Sequence, residues 1–251
     1  MLYYYVKWSI VNDYFCRKVL NMENILEYIE KKFSKPKNLF TLSIVLTLPF
    51  LFLVWMSFYD WGLIGTLDEV IGTQFHSGRR DALTWVFIII TRMGDGWFVG
   101  LFTTLASIYI WRFQGNRRLA IWYFLTVSVG AGGVNQLVKF FFRRPRPTHV
   151  DHLIVQGGYS FPSGHAMGAI VAYGALLFLI IRASRTFKPV LIATIVLIPL
   201  IGLIGLSRIY LGVHYPSDII GGYSLGLAVL SLSIGLYSAS LKDKGYKKGQ
   251  R

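Results

Sequence analysis

Charged side chains are scarce in this 251-residue chain. They make up 15% of it, while residues of the AVILMFWYC set reach 54%; an ordinary soluble domain carries about 25% charge. That shortage argues against a disordered chain, a coiled coil or an everyday cytosolic enzyme, and for a polytopic membrane protein. Acidic residues are rarer still, 12 against 26 Lys and Arg, which leaves a formal charge of +14. A basic balance can signal nucleic acid. With a mean hydropathy of +0.50, anionic lipid head groups and a positive-inside topology explain it better, and no nucleic-acid partner is expected. The single cysteine, Cys16, excludes an intrachain disulfide and a cysteine zinc cluster. No internal repeat and no low-complexity linker divides the chain.

What is present is a series of apolar runs. A span needs roughly 20 mostly apolar residues to cross a bilayer core. Six such runs are expected: 38–59, 96–111, 119–138, 166–181, 189–207 and 219–241. The fold class is therefore all-α, a six-span integral membrane helix bundle with short interfacial helices. Residues 82–91 are apolar but too short to cross alone, and are read as an interfacial helix leading into the second span. Ahead of the bundle, Ile25, Leu26, Ile29 and Phe33 recur at helical spacing among Glu and Lys. This makes residues 1–38 a cytoplasmic amphipathic segment, with Met22 a second candidate start. Residues 39–241 form the membrane domain and 242–251 a basic cytoplasmic tail.

Placing both termini in the cytoplasm puts 18 of the 26 Lys and Arg on inner segments, as the positive-inside rule requires. The outer exceptions include Lys139, Arg143, Arg144 and Arg146, a cluster that invites a functional explanation. For Arg143 and Arg144 the simpler expectation is contact with lipid phosphate at a span end.

Three short stretches then fall on the same outer face, at the ends of spans that hydropathy alone had placed. Lys139 to Pro147 closes the third span. Pro162-Ser163-Gly164-His165 opens the fourth. Ser207-Arg208 through His214 to Asp218 joins the fifth to the sixth. Lys139, Arg146 and Arg208 supply fixed positive charge, which a phosphoryl group in transfer needs around its equatorial oxygens. Ser163 adds a hydroxyl, the helix beginning there offers free N–H groups, and Gly164 allows close approach of the backbone. Asp218, four residues after His214, suits an orienting role: it holds one ring nitrogen and leaves the other free to attack phosphorus. His165 then protonates the leaving oxygen and later draws a proton from water.

These stretches read K-x6-R-P, P-S-G-H and S-R-x5-H-x3-D, and so resemble the three-part signature of the type 2 phosphatidic-acid phosphatase superfamily, without departure at any specified position. The resemblance covers roughly residues 80–240. It implies a six-helix membrane bundle with its active site at the outer mouth, and metal-independent hydrolysis of a phosphomonoester or diphosphate through a phosphohistidine. By motif position, His214 resembles the nucleophile, Asp218 its partner and His165 the leaving-group acid. Lys139, Arg146, Ser163, Gly164 and Arg208 resemble the phosphate binders. Soluble vanadate-dependent haloperoxidases share this superfamily; six spans set the chain apart from them. Compact bacterial members suggest phosphatidylglycerophosphate, phosphatidate or undecaprenyl diphosphate as substrate.

No cofactor and no metal are expected. His149, Asp151 and His152 lack a clear fourth ligand and are read first as solvated loop residues and second as head-group contacts. A transporter or flippase of anionic lipid would explain the charges but not the two histidines and the aspartate beside them. A lipid phosphotransferase would use the same residues. The sequence leaves the oligomeric state open.

Overall fold

The computed structural model describes residues 35–184 and 186–248, with side chains through residue 241. Of the amphipathic segment expected over residues 1–38, residues 1–34 lie outside the described residues, as do the side chains of the basic tail, while residues 36–38 open α1. Among those described, the fold is helical throughout: α1 (Pro36–Ser57), α2 (Gly62–Ser77), α3 (Asp81–Arg92), α4 (Gly96–Gln114), α5 (Arg117–Leu125), a π-helical stretch (Thr126–Val134), α6 (Asn135–Phe142), α7 (Gly164–Ala183), α8 (Phe187–Tyr210) and α9 (Pro216–Lys248). Five helices are long and apolar enough to cross a membrane, with α5, the π stretch and α6 counting as one run. A sixth span results if α3 and α4 are taken together across their break.

The expected spans and the helices differ mainly at their ends. Residues 82–91, expected as an interfacial helix leading into the second span, lie in α3, a helix of its own set at 48° to α4 across a short break. The loop before α2 holds Asp60 and Trp61 at φ +50° and +61°. Helix α2 itself was not singled out in the sequence, because Asp68 and Glu69 interrupt its apolar face.

Helix α9 is the hub, packing along α1 and α7. Pro49 lies inside α1, where it can offer no N–H to the helix ladder. One residue on, the Ser224 hydroxyl of α9 accepts from the Phe50 N–H at 3.1 Å and donates to the Leu46 carbonyl. These are the two ends of one α-helical rung, so α9 is stitched into the backbone of α1. Ser43 adds a bond to the Ala228 carbonyl at 2.8 Å. Small residues permit such close approach between membrane helices. At Gly222, an added Cβ would lie 2.7 Å from the Ser163 carbonyl oxygen, which presses α9 onto the start of α7. The outer faces stay apolar: Ile44, Trp55, Leu105, Ile195 and Leu236 are all more than half exposed, as helices facing lipid rather than water would be.

Candidate active site

Three helix ends converge. Helix α6 ends at Phe142, α7 begins at Gly164 and α9 begins at Pro216. Backbone bonds join the intervening loops: Ser163 N–H donates to the Asp218 carbonyl and Ser160 N–H to the Arg144 carbonyl, both at 2.9 Å. Pro216 stands at the first position of α9, where a missing N–H costs nothing. Arg79 ties the same region down from outside, donating to the Tyr210 carbonyl at 3.0 Å and the Asp151 carbonyl at 2.9 Å.

The eight residues named from the sequence come together here. A cavity of about 650 Å³ is lined by Lys139, Arg146, Gly164, His165 and His214. Ser163, Arg208 and Asp218 are fully buried and stand behind that wall. The His214 ring is held at both nitrogens: Nδ1 lies 3.2 Å from Asp218 Oδ2, and Nε2 lies 3.3 Å from Arg146 Nη1. Asp218 Oδ2 also accepts from the Tyr215 N–H at 2.9 Å, so the carboxylate is oriented before it orients the ring. Burial pushes the His214 pKa well below the usual imidazole value, helped by the charges of Arg208, Lys139 and Arg146. The ring is therefore neutral near pH 7, the form a nitrogen nucleophile needs.

The cations are already engaged by loop 156–159. Arg146 donates to the carbonyls of Gly157, at 2.8 Å, and Gly158, at 3.1 Å. Lys139 donates to the Tyr159 carbonyl. Arg208 donates to Thr91 Oγ1 at 2.7 Å and to Gln156 Oε1, while its buried Nε has no hydrogen-bond partner. A buried, unpaired guanidinium N–H is costly and is suited to an oxyanion. The Ser163 hydroxyl caps α7, accepting from the Ala166 N–H at 3.4 Å.

Arg144 corrects the sequence reading. It was expected against lipid phosphate, yet its side chain is only 5% exposed. Nη1 donates to Asp218 Oδ1 at 2.8 Å and Ser217 Oγ at 2.7 Å, and Nη2 to Asp68 Oδ2 at 2.9 Å. Its guanidinium carbon lies 3.6 Å from the Trp61 ring centre and 4.1 Å from that of Tyr215. A planar cation suits this slot between rings, with two carboxylates at its edge. Asp68 also accepts from the Ser217 N–H at 2.8 Å. Arg143, by contrast, is exposed and lies over the Phe140 ring of its own helix.

Sequence reasoning missed Asp68, Asp95 and Gln156. The signal for the first two was an acidic residue beside apolar runs, where ionisable groups are costly; Gln156 gave none. His149, Asp151 and His152 are exposed, as expected. Among the described residues, no three His, Cys, Asp or Glu side chains gather as a metal ion would need.

Known proteins carry the same pattern. Residues 119–242 match the PAP2 superfamily model, a stretch that includes all three signature segments. Phosphatidylglycerophosphatase B of Bacillus subtilis is 29% identical over 188 residues, covering 72% of this chain and 88% of that one. Undecaprenyl-diphosphatase BcrC of the same organism is 30% identical over 131 residues, covering 50% and 62%. The crystal structure of a transmembrane PAP2-type phosphatidylglycerolphosphate phosphatase from Bacillus subtilis superposes with a TM-score of 0.71 at 24% identity, over 81% of this chain and 96% of that one. At that identity the likeness concerns the fold.

Proposed function

Because this chain belongs to the PAP2 superfamily and is a membrane lipid phosphatase, we propose that it works through a phosphohistidine on His214, with a lipid phosphomonoester or polyprenyl diphosphate as substrate. The observation that carries the reading is the His214 ring set between Asp218 and Arg146 in a cavity shared with Lys139 and His165. His214 Nε2 attacks phosphorus, and the electron pair of the breaking P–O bond stays on the lipid oxygen, which takes a proton from His165. Water then attacks phosphorus, gives its proton to His165, and the P–N pair returns to His214. Lys139, Arg146 and Arg208 carry the spread negative charge in both steps. The basic-residue bias supports an active site on the extracytoplasmic face, with both termini cytoplasmic.

The purified protein in detergent is expected to release phosphate from at least one of phosphatidylglycerophosphate, phosphatidate and undecaprenyl diphosphate, and to keep that activity in EDTA. Lipid transport without phosphate release would favour the flippase reading. Phosphate appearing on an added acceptor lipid rather than in water would favour a phosphotransferase.

The cavity supports a lipid rather than a soluble ester. It runs from the histidines along α4 and the π stretch, past Gly100, Val127, Ala131 and Gly132. An added Cβ at Gly100 or Gly132 would meet nothing within 4 Å, so both positions border open space. Gly132→Leu is expected to lower turnover of a long-chain substrate by about tenfold, the scale of a misfit apolar group. A dioctanoyl analogue should be nearly unaffected. Equal losses on both would mean that the tail does not lie there.

A further inference from the structure

The break between α3 and α4 interrupts an apolar region, and its residues touch the site. At Gly94 an added Cβ would lie 2.6 Å from Ile204 Cγ2 and 3.0 Å from His165 Cδ2. Only glycine lets the turn sit this close to the ring. Asp95 follows as the N-cap residue of α4, yet its side chain makes no capping bond, although aspartate there ordinarily accepts from its own helix. Instead Oδ1 lies 2.8 Å from His165 Nε2, and Oδ2 accepts from Trp97 Nε1 at 3.3 Å. The two histidines of the site thus each have their own carboxylate, met through opposite ring nitrogens: Nδ1 in His214 and Nε2 in His165.

From this juxtaposition we propose that Asp95 is the positioning residue of His165. It keeps the proton on Nε2, fixes the ring in the cavity and leaves Nδ1 to exchange a proton with the reacting oxygen. This rests on the reading of His165 as the proton donor. When the P–O bond of the lipid ester breaks, the Nδ1 proton of the imidazolium moves to the lipid oxygen. When water attacks the phosphohistidine, its proton returns to Nδ1. Asp95 stays ionised throughout, and its charge opposes the burial and the neighbouring Arg208 and Lys139 charges that disfavour the imidazolium required in the first step. The glycine-aspartate break is then a device for reaching an adjacent helix with a carboxylate, which a continuous α-helix would have kept for itself.

The test compares an alkyl phosphate lipid with its analogue bearing sulfur at the bridging position, whose thiolate leaves without a proton. The wild type must release phosphate from the oxygen ester; failure there removes the phosphatase reading itself, not this one. Asp95→Asn is expected to lower kcat on the oxygen ester by about 100-fold, the low end of a general-acid contribution, with KM little changed. On the sulfur ester the loss should be only a few-fold, and His165→Ala should show the same contrast. Losses of equal size on both esters, or full activity on the oxygen ester, would overturn the assignment. If Asp95→Asn does not fold, Asp95→Ser is read in the same way.

Discussion

Replacing His214 by alanine is expected to reduce phosphate release by about 10⁴-fold or more, the scale seen when a covalent nucleophile is deleted. The geometry explains why no neighbour can substitute. His165 holds Asp95 through Nε2 and is assigned the proton transfer to the leaving oxygen through Nδ1, and the remaining groups around the cavity are cations rather than nucleophiles. The fold should survive, because Asp218 keeps its bonds to Arg144 and to the Tyr215 N–H. The measurements are phosphate release, capture of an acid-labile phosphoenzyme in the wild type alone, and a thermal melt showing the variant folded. An active His214→Ala protein would remove the central step.

The second large effect is expected at Arg144, and it concerns stability as well as rate. Arg144→Ala leaves Asp68 and Asp218, 3% and 0% exposed at their side chains, without their shared cation. Breaking a buried ion pair from one side costs about 3–5 kcal/mol, so a marked fall in melting temperature is expected. Turnover should fall as well, by about 100-fold, because Asp218 loses the contact that helps hold it ionised and aimed at His214. Arg144→Lys should recover only part of both: a point charge cannot fork to two carboxylates and lie flat between Trp61 and Tyr215. A melting temperature unchanged in Arg144→Ala would support the lipid-contact role that the sequence suggested.

These two residues also mark what could be read from the chain alone. His214 was legible because its neighbours are separated by short, fixed spacings, and because hydropathy independently sent all three segments to one face. Arg144 was misread because an arginine at a span end looks the same whether it reaches outward to lipid or inward to acid. The difference depends on Asp68, 76 residues earlier on α2, and no local spacing links them. Asp95 was visible only as a charge bounding the second span; its work depends on the bend that brings it to α7. The π-helical stretch was equally hidden. Thr126–Val134 is rich in glycine and valine, a composition that continues an apolar span without revealing an altered helical repeat.

The counter-charges have an uneven address along the chain. Every residue of the three-part signature lies between 139 and 218, within the matched region 119–242. The acids Asp68 and Asp95, and the ring of Trp61, come from before it. A shortened protein that preserved every signature residue would therefore keep both imidazoles and Lys139, Arg146 and Arg208, yet lose Asp95 from His165 and both Asp68 and Trp61 from Arg144. The recognisable segment is thus smaller than the structural unit: the signature supplies the two imidazoles and the basic cluster, and the upstream helices supply carboxylates and a ring that contact them.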